Sequence, residues 1–275
     1  MVISIGGLGS QIALNIIDST RQRQIISLRG QPEHERAASA FRERIASIST
    51  PAELVKDFEV YSFVMKAFDL EEQIFGKGMI RKVLESDPSD ETSLVNRLTD
   101  PRFGELHAAM GFTTEDGPTD PGFDNPVWVE QIVERYFNRV FVNDNAAQND
   151  TVGNVLHFRE EVADIDNWYD VLKDTRLTDF FQVALGLPKE LAGLEVDAQK
   201  LRYEEKLNIA DLKDPKVRED LEAKYIAISD VLNPPQTLSG SRLASLFNPV
   251  GIGAQFVPLT LEISPVTFSA SSLYR

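Results

Sequence analysis

The chain contains no cysteine, which removes disulfides, thiolate nucleophiles, cysteine-ligated zinc and iron–sulfur clusters from consideration. Its 3 histidines, His34, His107 and His157, show neither an HExxH pattern nor any other paired ligand spacing. No apolar run approaches the ~20 residues that a bilayer-crossing helix needs. Nor does a charged n-region with a small-residue cleavage site open the sequence. The expectation is a protein that does not insert in a membrane, with the cytoplasm as its default address.

Positive charge is also scarce. Lys and Arg number 28 against 43 Asp and Glu, a formal net charge of -15. Such a surface repels phosphate backbones, so nucleic acid is not an expected partner. The imbalance is uneven, because residues 1–50 hold six Arg and four acidic side chains. At 275 residues and 42% hydrophobic content the chain has the composition of a folded globular protein.

Signatures of chemistry are missing as well. There is no GxSxG, and Gly76-Lys77-Gly78 lacks the rest of a P-loop. Val2 to Ile17 has the look of a strand, a glycine turn and a helix, with Gly7 and Gly9 in the turn. However, Ile12 fills the third glycine position of a dinucleotide fingerprint, and no second strand ending in an acid follows. A flexible glycine-rich arm is the simpler expectation. Asp116, Asp120 and Asp124, and separately Asn143-Asp144-Asn145 with Asp150, do not meet the ligand template of an EF-hand. Both read as Asx-rich turns. No catalytic residue, cofactor or metal ligand is assigned, and the chain reads as non-enzymatic.

What the sequence does contain is an internal echo. Residues 41–70 align with 158–187 without a gap, and ten of the thirty positions are identical. Phe41/Phe158, Arg42/Arg159 and Phe63/Phe180 are among them. A second match pairs Asp100-Pro101 with Asp214-Pro215. The expectation is a duplicated helical unit. Ala37, Phe41, Ile45 and Ile48 make one apolar helix face. Thr50 to Glu53 spells a capping box with Pro51 at the first helical position, and Asn167 with Asp170 repeats it. Val60/Leu177, Phe63/Phe180, Ala67/Ala184 and Leu70/Leu187 form a stripe shared by both copies. The first copy adds Phe58, Tyr61, Met65 and Phe68, where the second has Thr175, Thr178, Gln182 and Leu185. The first helix should therefore be central and the second peripheral. Further helices are expected at about 10–27, 71–85, 101–110, 127–142, 188–208 and 215–232.

The end of the chain differs in kind. Residues 243–275 carry only Glu262 and Arg275 as charged side chains. Val257, Leu259, Leu261 and Ile263 alternate with Pro258, Thr260, Glu262 and Ser264, a period-2 strand with one apolar face. A lone strand needs a ladder, which this chain, a second subunit or another partner must supply.

The motifs Phe41-Arg42-Glu43, Met65-Lys66-Ala67-Phe68-Asp69-Leu70, Ile80-Arg81-Lys82-Val83-Leu84-Glu85 and Asn96-Arg97-Leu98 resemble the bacterial domain-of-unknown-function family 1217. Asp69 stands where the family usually has glycine. The resemblance implies an all-helical core and a setting among flagellar genes, and it brings no catalytic residues.

The expected architecture is mainly α: a two-copy repeat of helical units with a short C-terminal β segment. An N-terminal arm and helix cover 1–32 and the first repeat covers 33–111. A linker and connecting helix cover 112–149, the second repeat 150–232, and an extended tail 233–275. The expected function is non-enzymatic interaction with protein partners, flagellar components among them. The strand Val257, Leu259, Leu261 and Ile263 would serve as the contact or as a route to homo-oligomers, with signal-less export to the flagellum as a second address. The alternative is a small-molecule or metal-binding protein using the cleft between the repeats.

Overall fold

The computed structural model describes residues 3–114, 117–119 and 121–233. The proposed tail strand Val257 to Ile263 lies outside these residues. Within them the protein is mainly α, with thirteen α-helices and one two-residue antiparallel bridge in which Thr113 pairs with Pro118.

The first half begins with α1 (Ser10–Arg29) and α2 (Pro32–Arg44). Thr50 then starts α3 (Pro51–Lys56) through the expected capping box: its side chain accepts from the Glu53 amide while the Glu53 carboxylate accepts from the Thr50 amide. Asp57 ends α3 and caps α4 (Phe58–Ala67). An excursion follows, with α5 (Lys77–Leu84), α6 (Leu94–Arg97) and α7 (Pro101–Met110), before the long α8 (Pro126–Ala146). The second half repeats the order. It runs through α9 (Asp150–Glu161), α10 (Trp168–Lys173) with an Asn167–Asp170 capping box, and α11 (Thr175–Ala184) capped by Asp174. Short 3-10 turns and α12 (Val196–Glu204) lead to α13 (Pro215–Leu232).

Each half is held by a stack of three rings. Phe41 on α2 lies on Phe63 of α4 at 4.6 Å between centroids, and Phe63 lies on Tyr136 of α8 at 4.1 Å. In the second half Phe158 lies on Phe180 at 4.1 Å, and Phe180 meets Tyr225 of α13 at 4.7 Å. All six rings are buried. Offset ring contacts of this kind add about 0.5–1.5 kcal/mol to burial alone. Tyr136 and Tyr225 each stand ten places beyond the proline that opens their helix, Pro126 and Pro215. The helix corresponding to α13 in the first half is therefore α8. The sequence match of Asp100 with Asp214 instead pairs α7 with α13, but α7 packs on α5 and α6, outside the ring stack. For the same reason α8 is more than a connecting helix between repeats: it packs on α4, α9 and α1 together.

Burial along α4 follows the expected asymmetry at two of four positions, Tyr61 against Thr178 and Phe68 against Leu185. Tyr61, Met65 and Phe68 are buried, whereas Thr175, Thr178 and Leu185 on and after α11 are not. Phe58 departs from the expectation, being 55% exposed with the Lys77 ammonium over its ring, and Gln182 is buried. Both residues sit off the shared stripe, so packing of the stripe leaves them free to differ.

The start of the chain is not a flexible arm. Ile5 is fully buried and its amide donates to Gln148 Oε1 at 2.8 Å. The Ser10 amide donates to Asp230 Oδ2 at 3.0 Å, and the Ser10 hydroxyl also bonds that carboxylate. The α1 N-terminus, where a dinucleotide phosphate would have to bind, is thus occupied by a carboxylate of α13. Asn143, Asp144 and Asn145 likewise belong to the last turns of α8, and Asn149 caps α9, so this polar run is helix and cap.

Candidate functional site

The shared arginines brace each half in a similar way. Arg42 forks onto Glu130 of α8 at 2.6 and 2.9 Å. Arg159 forks onto Glu222 of α13, with Nη2 at 2.6 Å, and reaches Asp18 of α1 at 2.8 Å. Bidentate guanidinium–carboxylate pairs fix geometry as well as charge. Asp100 and Asp214 act as caps, accepting from the amides of Arg102 at 3.0 Å and Lys216 at 2.9 Å. These repeated residues are thus structural, and a different cluster, which includes the repeated Glu160 and Asp174, brings side chains together with chemical potential.

That cluster lies on the seam between α8, α9 and α11. Arg139, only 7% exposed, places its guanidinium 3.6 Å from Glu160, 3.4 Å from Glu161 and 3.4 Å from His157 Nδ1. The far ring nitrogen of His157 is 2.7 Å from Asp174 Oδ2. Burial pushes the Glu160 carboxyl up, against the pull of Arg139 and Arg21. Burial also acts to raise Asp174. The hydrogen bond and charge of His157 and the amides of Leu177 and Arg176 overcome it and hold Asp174 below the usual carboxylate range. His157, Glu160 and Glu161 offer ligand atoms within 4.8 Å of one another. Arg139 is already the cation among them, so a metal ion would have to displace a permanent positive charge.

A second polar centre surrounds Asp69. This residue ends α4 in a left-handed conformation, φ 55°, where an L side chain is costly. Asn143 Nδ2 donates to Asp69 Oδ1 at 2.9 Å, and Arg102 bonds its carbonyl and approaches Oδ2 at 3.4 Å. Arg176 of α11 stands 3.9 Å from the same oxygen. One carboxylate therefore ties α4, α7 and α8 together and faces α11.

Two cavities flank the seam. A groove of about 1020 Å³ runs along the outer face of α8, past Val127, Gln131, Glu134 and Asn138. A polar cleft of about 820 Å³ opens beside Asp69, Arg102, Lys173 and Arg176. None of these seam residues was singled out from the sequence as a site. His157, Arg139, Glu160 and Asp174 follow no spaced motif, because the α8–α9 corner and the segment from α9 to the start of α11 bring them together. Glu160 and Asp174 left a signal only as repeats of Glu43 and Asp57, which read as structural, and Asp69 left one as an acid in a glycine position.

The fold and these side chains define a mainly helical protein with a polar seam between two similar halves. The sequence profile of a family described as protein of unknown function, DUF1217, matches residues 67–217, more than half of the chain. The chain belongs to that family. An X-ray crystal structure of a protein from Agrobacterium tumefaciens has the same fold. The TM-score is 0.71 at 24% identity, covering 85% of this chain and 98% of that one. No match is found among curated proteins. No helix among the described residues is long and apolar enough to cross a membrane.

Proposed function

We propose that the protein is a non-enzymatic interaction protein serving flagellar assembly or structure, and that the α8 groove receives a helical segment of a flagellar component. The observation that carries this reading is the groove itself. Val127, Gln131, Glu134 and Asn138 recur at steps of 4, 3 and 4, which is one continuous face of α8. From 127 to 138 that face is about 17 Å long, enough for three turns of a partner helix. Val127 is 65% exposed, an apolar side chain at the groove mouth with nothing over it among the described residues. The polar groups of the seam support the same reading, because Arg139, His157, Asp174 and the two glutamates are engaged with one another. The flagellar setting is contributed by the family resemblance. The alternating sequence of Val257, Leu259, Leu261 and Ile263, with Glu262 its single charge, is proposed as a second contact, to a partner or to another copy of the chain.

Co-purification of the full chain from motile cells tests the proposal. Rod or hook components should be enriched with wild-type protein. They should be depleted by Val127→Glu, which puts a charge in the groove without touching the core. A chain ended at Gly240 separates the two contacts: if it remains folded and loses flagellar partners, the tail carries the interaction. Absence of rod and hook components from the wild-type sample would overturn the reading.

A further inference from the structure

The cleft beside Asp69 shows a charge pattern opposite to that of the whole protein. Its acids have partners within the chain. Asp69 receives Asn143 and Arg102, Asp100 receives Arg102, Asp174 receives His157, and Glu71 pairs with Lys66 at 3.1 Å. Only Glu72, at an exposed position, lacks such a partner among the described residues.

Two of the cations are differently placed. Among the described residues the Arg176 side chain donates no hydrogen bond, its nearest carboxylate oxygen is 3.9 Å away, and its buried Nη1 is unmatched. Among the described residues Lys173 has only Asp170, at 3.8 Å. A guanidinium carries five N–H donors in a rigid fork, and leaving that fork unused inside a cleft is unfavourable. In a chain of net charge -15, a cleft whose uncommitted groups are mainly cationic is an exception.

The backbone adds an independent observation. Asp69 holds the strained left-handed conformation at the cleft wall, although its counterpart in the second half, Gly186 at φ 64°, meets the same turn with glycine. Strain of this kind persists where the side chain is needed. Here the carboxylate fixes Arg102 and Asn143, and it keeps Arg176 near without neutralising it at bonding distance. The volume of about 820 Å³ falls within the roughly 300–1,000 Å³ of small-molecule sites.

We infer that this cleft binds a small organic anion, with its carboxylate or phosphate group held by Arg176 and Lys173. The site shares no lining residue with the α8 groove, so the two readings stand or fall separately.

The test is thermal unfolding of the full chain with sodium succinate or sodium phosphate, each against sodium chloride at equal ionic strength. One of the two probes should raise Tm by about 2–4 °C at tenfold saturation, and which one does so names the recognised group. Arg176→Gln should keep the chloride-only Tm, since the Arg176 side chain makes no hydrogen bond among the described residues and its amide bond to Asp174 is kept, and should lose the response. Should Arg176→Gln itself unfold early, Lys173→Gln, at a half-exposed side chain, carries the same comparison. Two results would overturn the inference: neither probe moving Tm beyond chloride, or both variants responding as the wild type does.

Discussion

Asp69 and Gly186 occupy the same left-handed turn, φ 55° and φ 64°, at the ends of corresponding helices. One position uses the residue that adopts this conformation freely, and the other uses an acid that does not. The difference is explained by what the carboxylate holds, since Asn143 donates to its Oδ1 at 2.9 Å and Arg102 approaches its Oδ2 at 3.4 Å, whereas Gly186 has no side chain to offer.

Replacing the strained residue therefore sets two effects against each other. Asp69→Gly relieves about 1 kcal/mol of backbone cost but strands the Asn143 amide and removes the carboxylate beside Arg102, a loss of about 2–3 kcal/mol, while Arg102 keeps the residue-69 carbonyl and Asp100. The expected balance in urea denaturation is a destabilisation of about 1–2 kcal/mol. A stabilised variant would mean that the carboxylate is merely tolerated. Gly186→Ala, with no compensating bond, should cost about 1–2 kcal/mol.

The corner between α8 and α9 leaves no room for a side chain at Gly153. A Cβ there would lie 2.3 Å from Ala146 Cβ and 2.8 Å from Ala146 Cα, at the corner where α8 turns into α9. Gly153→Ala should destabilise by at least about 1–3 kcal/mol, and Ala146→Gly in the same chain should recover part of the loss. Equal stability of the single variant and the wild type would show that the corner is open.

The seam should also respond to pH in a way whose sign can be worked out. Asp174 is held below its ordinary value when folded. Its contribution is complete above the unfolded-state value, roughly 4, and is lost as pH falls through the folded-state value. Asp174→Asn keeps a capping side chain and removes the charge. Stability at pH 7 should fall by about 2 kcal/mol, and the decline of stability below about pH 5 should flatten. Glu160 has the opposite sign: raised by burial, it costs stability when ionised and relaxes that cost as pH falls. A variant curve parallel to that of the wild type below pH 5 would remove Asp174 from the account.

Which of these features the sequence discloses follows from their range. Thr50 and Glu53, or Asn167 and Asp170, are three apart and answer to local rules, so both capping boxes are legible. So is the shared stripe of Phe63 and Phe180, because helical period alone places it. Tyr136 and Tyr225 are harder, since the excursion through α5 to α7 lengthens the first half and breaks the constant offset between copies. The partners of Asp69 lie 33 and 74 residues away, and those of Ser10 lie 139 and 220 residues away. No local rule connects such pairs. The flexible reading of the N-terminus failed for that reason: what orders Ile5 and Ser10 is α8, α9 and α13.

The account rests on each half being held by a three-ring stack, and truncating the middle ring of each stack tests this most directly. Phe63→Ala and Phe180→Ala should each lower stability by about 3–5 kcal/mol in chemical denaturation. Both rings are buried and lie between an aromatic neighbour from the preceding helix and a tyrosine from the closing one. A loss below about 1 kcal/mol at either position, with a large loss at the other, would show that the halves are not held together in the same way and would contradict the account.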